Sequence, residues 1–290
     1  MTIPLADWRA QAQYFDFEGM RIAYWRAGSG KPLLLVHGFP TASWDWEPIW
    51  NTMSAQHSLI AADMIGFGLS DKPRSKNHTG GYSIHRQTDM QLALLKHLGV
   101  TEYDALVHDY GVSVGQELLA RQHESSGADG LNKMVFLNGG IFPDQHRARP
   151  IQKLGVSPLG FLASRMLSRK SFGRSFASVF GPDTQPSKQQ LDNFWELITE
   201  QDGHRIFHTL LHYIGDRRDN AQRWTGVLQH VQTRIGFING ALDPVSGEHA
   251  YRRWTAHVPD AQAHLIAHVG HYPHVEAPAH VAAKALEWLA

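Results

Sequence analysis

Short, continuously apolar runs recur along the chain, each bounded by glycine or by polar residues: Pro32–Val36, Leu59–Ala62, Ala105–Val107, Met134–Leu137 and Ile235–Ile238. Runs of this kind suit strands buried on both faces, as in a parallel sheet. Ahead of them, Tyr14–Phe17 and Arg21–Trp25 flank Glu18-Gly19, which predicts an antiparallel hairpin at a sheet edge. Helical spacing fills the gaps. Ser83 caps a helix to about His97 with Met90, Leu94 and Leu95 apolar and Gly99 as its stop, and Val114, Leu118 and Leu119 share one helical phase with Tyr110. Near the end come a helix over 249–257, a strand over 263–267 and a helix from about Pro278 to Leu289.

Strand-helix alternation predicts an α/β protein with a mostly parallel twisted sheet and helices on both faces. The alternation lapses between Ile141 and Thr233, where the periodicity predicts helices over 158–167, 188–200 behind the cap Ser187, 203–214 and 220–230. This divides the chain into a core, 1–140 and 234–290, and a helical cap, 141–233, inserted after the sixth strand.

Composition narrows the function. Lys+Arg and Asp+Glu are both 27, so no basic surplus exists to neutralise nucleic acid. No cysteine is present, which excludes disulfides, thiolate catalysis and cysteine-ligated zinc. Residues 1–14 have no apolar run of the signal-peptide kind, and no stretch approaches the roughly 18 apolar residues of a membrane span. The expectation is a cytoplasmic enzyme without membrane contact, a monomer or homodimer, acting without a cofactor on a small hydrophobic substrate.

Sites in open parallel sheets lie beyond the carboxyl ends of the strands. Four loops fall there: His37–Pro40, Asp109–Gly111, Gly240–Asp243 and Gly270–His274. The second contains two overlapping frames. Gly111-Val112-Ser113-Val114-Gly115 has the G-x-S-x-G form of serine hydrolases, whereas His108-Asp109-Tyr110-Gly111 puts an acid at the turn. A strand running on to Val112 would bury an unpaired Asp109 carboxylate and delay the helix. A strand ending at His108 has ordinary length and agrees with the helical phase, which favours Asp109 over Ser113. An Asp at this position is also a good helix cap, so the other loops must supply matching parts.

They do. An acid nucleophile forms an ester with carbon, and a base must then activate water to hydrolyse it. His271 is the candidate base, with His268 and His274 as rivals. Glycine and proline deny these three a shared helix face, which argues against a metal. Asp243 is the candidate orienting acid. The backbone N–H groups of Phe39 and Tyr110 follow strand ends and suit an oxyanion.

His37-Gly38-Phe39-Pro40, Asp63-Met64-Ile65-Gly66-Phe67-Gly68-Leu69-Ser70, His108–Gly111, Gly240–Asp243 and Gly270–Pro278 together resemble the α/β-hydrolase superfamily, in its aspartate-nucleophile branch of epoxide hydrolases and haloalkane dehalogenases. Within it, His108–Gly111 with Gln116–Leu119, Leu137–Pro143 and Leu242-Asp243-Pro244 look like the mesoderm-specific transcript group and its bacterial relatives. The resemblance implies the α/β-hydrolase fold and the order nucleophile Asp109, acid Asp243, histidine His271. Dehalogenases of this branch hold the halide with a Trp after the nucleophile and often an Asn in the first loop. Here those positions are Tyr110 and Phe39, leaving Trp44, Trp46 or Trp195 as donors. Epoxide hydrolases use cap tyrosines as acids, a role that falls to Tyr213 in Leu211-His212-Tyr213-Ile214. No second Tyr lies between Ile141 and Thr233, so a histidine is the substitute, with His208 and His212 the candidates in a His204, His208, His212 stripe that otherwise reads as a polar helix face. Asn138 stands where some dehalogenases place their acid. It joins His37, Trp44, Trp195, His208 and His212 as an expected pocket residue. The leading expectation is an epoxide hydrolase, then a dehalogenase with the same three residues, then a Ser113 esterase or a silent binding protein.

Overall fold

The computed structural model describes residues 2–73, 81–127, 129–145, 147, 149–157 and 159–290. Its sheet has eight strands: β1 (Gln13–Phe17), β2 (Met20–Ala27), β3 (Lys31–Val36), β4 (His57–Ala62), β5 (Tyr103–His108), β6 (Leu131–Leu137), β7 (Arg234–Gly240) and β8 (Gln262–Ile266). They lie in the order β1-β2-β4-β3-β5-β6-β7-β8. β1 and β2 form the predicted edge hairpin, β2 runs antiparallel to β4, and the remaining pairs are parallel.

The apolar runs sit in the middle because both faces of the sheet are covered. Successive side chains alternate between faces. Leu34, Val36, Ile60, Ala105, Val107, Met134 and Phe136 enter one core and Leu33, Leu35, Leu59, Leu106, Val135 and Leu137 enter the other. The helices are α1 (Leu5–Ala10), α2 (Glu47–Ser54), α3 (Ile84–His97) and α4 (Tyr110–Glu124); then α5 (Pro150–Gly155), α6 (Gly160–Arg165), α7 (Arg169–Ala177), α8 (Lys188–Thr199), α9 (Phe207–Leu210), α10 (Tyr213–Asp219) and α11 (Ala221–Val227); then α12 (Glu248–His257), α13 (Pro273–Glu276) and α14 (Pro278–Leu289). Met90 of α3, Leu118 of α4 and Trp254 of α12 cover the first face; Trp8 of α1, Trp50 of α2 and Val281 of α14 cover the second. Among the described residues no helix is long and apolar enough to cross a membrane.

Between β6 and β7 every described element is helical, but the divisions differ from those predicted. α5 and α7 had no clear periodic signal. The start expected at Pro158 lies outside the described residues. The helix expected over 203–214 is broken: residues 200–206 form a 3-10 turn in which Gln201 and Asp202 have φ of 48° and 60°, and α9 and α10 follow separately. His204, His208 and His212 therefore share no helical face. The α4 helix anchors this segment. The Gln116 amide donates to the Ile141 and Trp224 carbonyls, and the buried Glu117 carboxylate binds His85, Arg121, Arg223 and Trp224.

Candidate active site

Asp109 is the residue at the turn between β5 and α4. Its φ of 47° and ψ of −105° lie outside the helical and extended regions, a strained conformation for a non-glycine residue. Gly111 makes the turn possible. A Cβ there would sit 2.7 Å from the His37 carbonyl oxygen and closer still to that of Val36. Tyr110 opens the helix, so its N–H points out of the helix N-terminus.

Three predicted residues converge. His271 Nδ1 lies 2.7 Å from Asp243 Oδ2 and its Nε2 lies 3.3 Å from Asp109 Oδ1. The other Asp109 oxygen accepts the Phe39 N–H at 2.9 Å. All three side chains are buried. Burial alone would lower the His271 pKa, but the Asp243 charge and the Asp109 hydrogen bond raise it to about 10. Burial would likewise raise both carboxyls. His271 and the Phe39 N–H instead hold Asp109 well below the carboxylate range, and His271, Ser246 and Val245 bring Asp243 to about 2. At neutral pH His271 is thus an imidazolium between two carboxylates.

The residues predicted for the pocket wall and the proton donor lie elsewhere. A cavity of about 460 Å³ opens onto Asp109 and His271, walled mainly by apolar groups including Phe39, Phe172, Phe176, Phe207, Leu211 and Tyr272. None of His37, Trp44, Asn138, Trp195, His208, His212 or Tyr213 belongs to its wall. His37 is a structural tie: Nδ1 donates to the Gly38 carbonyl and Nε2 accepts the Met64 N–H at 3.0 Å. Trp44 packs on Phe194 with ring centres 5.2 Å apart, and Trp195 packs behind Phe172 at 5.6 Å. His208 is held by Ser164 and Thr209, and His212 is the residue preceding α10. Tyr213 is wholly buried, its ring 4.7 Å from that of Tyr110 and 6.4 Å from that of Phe39, with the Arg217 guanidinium carbon 5.5 Å from its ring centre. Ser113 is buried in α4 and its hydroxyl has no partner among the described residues. No histidine therefore serves it as a base.

Asn138 supports the acid instead of facing the cavity. Its amide donates to Asp243 Oδ2 at 3.0 Å and accepts the Gly240 N–H at 2.6 Å. Ser246 Oγ and the Val245 N–H donate to Asp243 at 2.5 and 2.7 Å. Removing these amide contacts leaves a buried N–H unpaired, so Asn138→Ala should lose about 2 kcal/mol in urea unfolding. Its substrate preference should match that of the parent protein in a competition assay.

Two further residues escaped sequence reasoning. Glu276 accepts the Gly270, Tyr272 and Gly181 N–H groups and the Thr184 hydroxyl, fixing the loop that bears His271. Its place five residues after His271 was the available signal. Tyr272 is a tyrosine on the cavity wall, and its hydroxyl donates to the Phe39 carbonyl at 3.3 Å.

Below the site, Asp45, His108 and His274 bring ligand-type atoms within 4.8 Å of one another. Two histidines and a carboxylate are a set that could hold a divalent transition metal. Burial drives all three toward their neutral forms, raising Asp45, lowering His274 and taking His108 to about 3. The Thr41 hydroxyl already donates to Asp45, and Trp46 packs against His274 with ring centres 4.6 Å apart.

A mostly parallel sheet with an acid at the β5–α4 turn, backed by His271 and Asp243 from later strand ends, has the architecture of an α/β hydrolase. The chain belongs to the alpha/beta hydrolase fold family, whose model matches residues 31–278. Members of this family are hydrolases. The mesoderm-specific transcript homolog protein of Homo sapiens is 38% identical over 288 residues, covering 94% of this chain and 84% of that protein. The putative hydrolase LipZ of Mycobacterium tuberculosis is 35% identical over 292 residues, covering 100% and 99%. An alpha/beta hydrolase fold protein from Burkholderia ambifaria superposes with a TM-score of 0.78 at 21% identity, covering 99% of both chains. More remote relatives include a cis-3-alkyl-4-alkyloxetan-2-one decarboxylase of Shewanella oneidensis (29% identical, 89% of this chain and 82% of that protein) and a haloalkane dehalogenase of Mycolicibacterium paratuberculosis (27%, 98% and 94%). A soluble epoxide hydrolase of a Corynebacterium matches 33% of this chain at 38% identity.

Proposed function

We propose that this protein is an epoxide hydrolase with Asp109 as nucleophile, His271 as base and Asp243 as the acid that orients it. The observation that carries this reading is the Asp109 carboxylate itself: ionised, at a strained turn, one oxygen on the Phe39 N–H and the other toward His271. The segment 141–233 acts as a cap on the core formed by 1–140 and 234–290, closing an apolar cavity that suits a small hydrophobic substrate.

Asp109 attacks an epoxide carbon, the C–O bond breaks, and the oxygen takes a proton. Tyr213 was expected to give it. Its place away from the cavity wall gives that role to Tyr272, which lines the cavity and recovers a proton from solvent. Ester formation removes the Asp109 charge, one of the two that keep His271 protonated. His271 then passes its proton to solvent and, now neutral, takes one from water. The hydroxide attacks the ester carbonyl, the oxyanion sits on the Phe39 and Tyr110 N–H groups, and collapse releases the diol with the proton from His271.

A dehalogenase has less support, because among the described residues no tryptophan lines the cavity to hold a halide. A second reading takes a strained four-membered cyclic ester, the class named for the Shewanella oneidensis relative. Its leaving oxygen becomes a carboxylate and needs no proton, which suits a wall with one tyrosine. Incubation with an aryl epoxide, a bromoalkane and a dialkyl oxetanone separates the three. Diol is the expected product; bromide or alkene release without diol overturns the epoxide reading.

A further inference from the structure

Eight large apolar side chains are exposed among the described residues, and six of them, Leu154, Val156, Leu159, Phe161, Leu162 and Met166, fall between residues 154 and 166. Leu159 is 60% and Met166 73% exposed. They belong to the α5–α6 hairpin, whose backbones meet closely at two glycines: a Cβ on Gly160 would strike the Gly155 carbonyl. The hairpin also rims the cavity, since Leu154, Gly155, Ala163 and Met166 are part of its wall. A concentrated apolar patch on a charged surface marks a docking site.

Charge says what docks. From residue 145 to 182 the chain has seven Lys and Arg and no Asp or Glu, while the whole chain is balanced at 27 of each sign. Arg147, Arg165, Lys170 and Arg174 are exposed; Arg169 is paired with Asp192 and Arg149 reaches Ser178. A second copy of the chain would bring like charges together around the patch. An apolar face ringed by cations instead matches a bilayer carrying anionic headgroups.

We propose that the α5–α6 hairpin docks on an anionic phospholipid surface, so that the cavity takes a lipophilic substrate from the membrane. This holds whichever bond Asp109 attacks. The expectation of no membrane contact came from the lack of a spanning segment, and surface docking needs none.

The full chain is sedimented with vesicles of roughly two parts phosphatidylcholine to one of phosphatidylglycerol, and with phosphatidylcholine alone. Binding to the mixed vesicles should exceed that to the neutral ones on the order of tenfold and weaken with salt. The double variant L159D/F161D should lose binding by about tenfold with an unchanged melting curve, since both side chains are exposed. R165E/K170E should weaken binding to the mixed vesicles only. Absence of sedimentation at low salt, or equal sedimentation of parent and L159D/F161D, overturns the proposal. So does a parent dimer in light scattering that L159D/F161D abolishes, which would assign the patch to a second copy.

Discussion

His271→Ala protein incubated with styrene oxide should gain the mass of one epoxide, located by peptide mass spectrometry on the segment containing Asp109. The first step needs the Asp109 carboxylate and a proton from Tyr272, both of which this substitution leaves in place. The second step needs a base on water, and removal of such a base slows a step by about 10²–10⁴-fold. The ester should therefore accumulate while diol release falls by that factor. Without the imidazolium, burial raises the Asp109 carboxyl with its main lowering influence gone, so the adduct should form faster as the pH of the incubation is raised. Adding Asp109→Asn to the same protein should abolish the adduct. An adduct on Ser113, or none with any epoxide or haloalkane offered, would sink Asp109 as the nucleophile.

The largest stability effect should come from Gly111→Ala. The obstacle to a methyl group here is backbone: the carbonyl oxygens of His37, at 2.7 Å, and Val36, nearer still. Neither can rotate away as a side chain would. The Gly111 N–H also donates to the His37 carbonyl at 3.1 Å, so α4 and the end of β3 are held together at the same point. Overpacking of this kind costs about 3 kcal/mol. It should also slow formation of the Asp109 adduct, because α4 must shift away from Phe39. Gly215→Ala is the control. Nothing lies within 4 Å of its Cβ and it sits inside α10, so thermal unfolding should show a gain of up to about 1 kcal/mol.

The core was legible because burial on both faces leaves a distinctive trace. Leu33–Val36 and Ala105–Val107 are apolar at every position since odd and even residues enter different cores. The place of Asp109 at the turn after β5, with Ser113 inside α4, was likewise legible from strand length and helix phase, both local properties. The helices after β6 were harder. α5, α6 and α7 are short, and α5 and α6 expose apolar side chains, so no clean amphipathic period marks them. The break at Gln201 and Asp202 needs two positive φ angles without glycine, which no local pattern announces. Pocket residues failed for a related reason. His37, Asn138 and Tyr213 follow strand ends or lie on the inserted segment, but whether a side chain there meets the cavity or the protein interior depends on packing between distant segments. Tyr272 stands directly after His271, and no local pattern marks its ring as part of the cavity wall.

The 3.3 Å separation of Asp109 and His271 is a matter of tolerances. His108 Nε2 donates to the His271 carbonyl at 2.8 Å across 163 positions of sequence. His108 is the last residue of β5, the neighbour of Asp109, so the two chemical groups are bolted to each other through the sheet rather than aligned by whatever fills the cavity. The segment between β6 and β7 can then vary in length, shape or motion as a replaceable tool head on a fixed chuck. One such frame could serve ring-opening reactions on quite different molecules without recalibrating the gap between acid and imidazole.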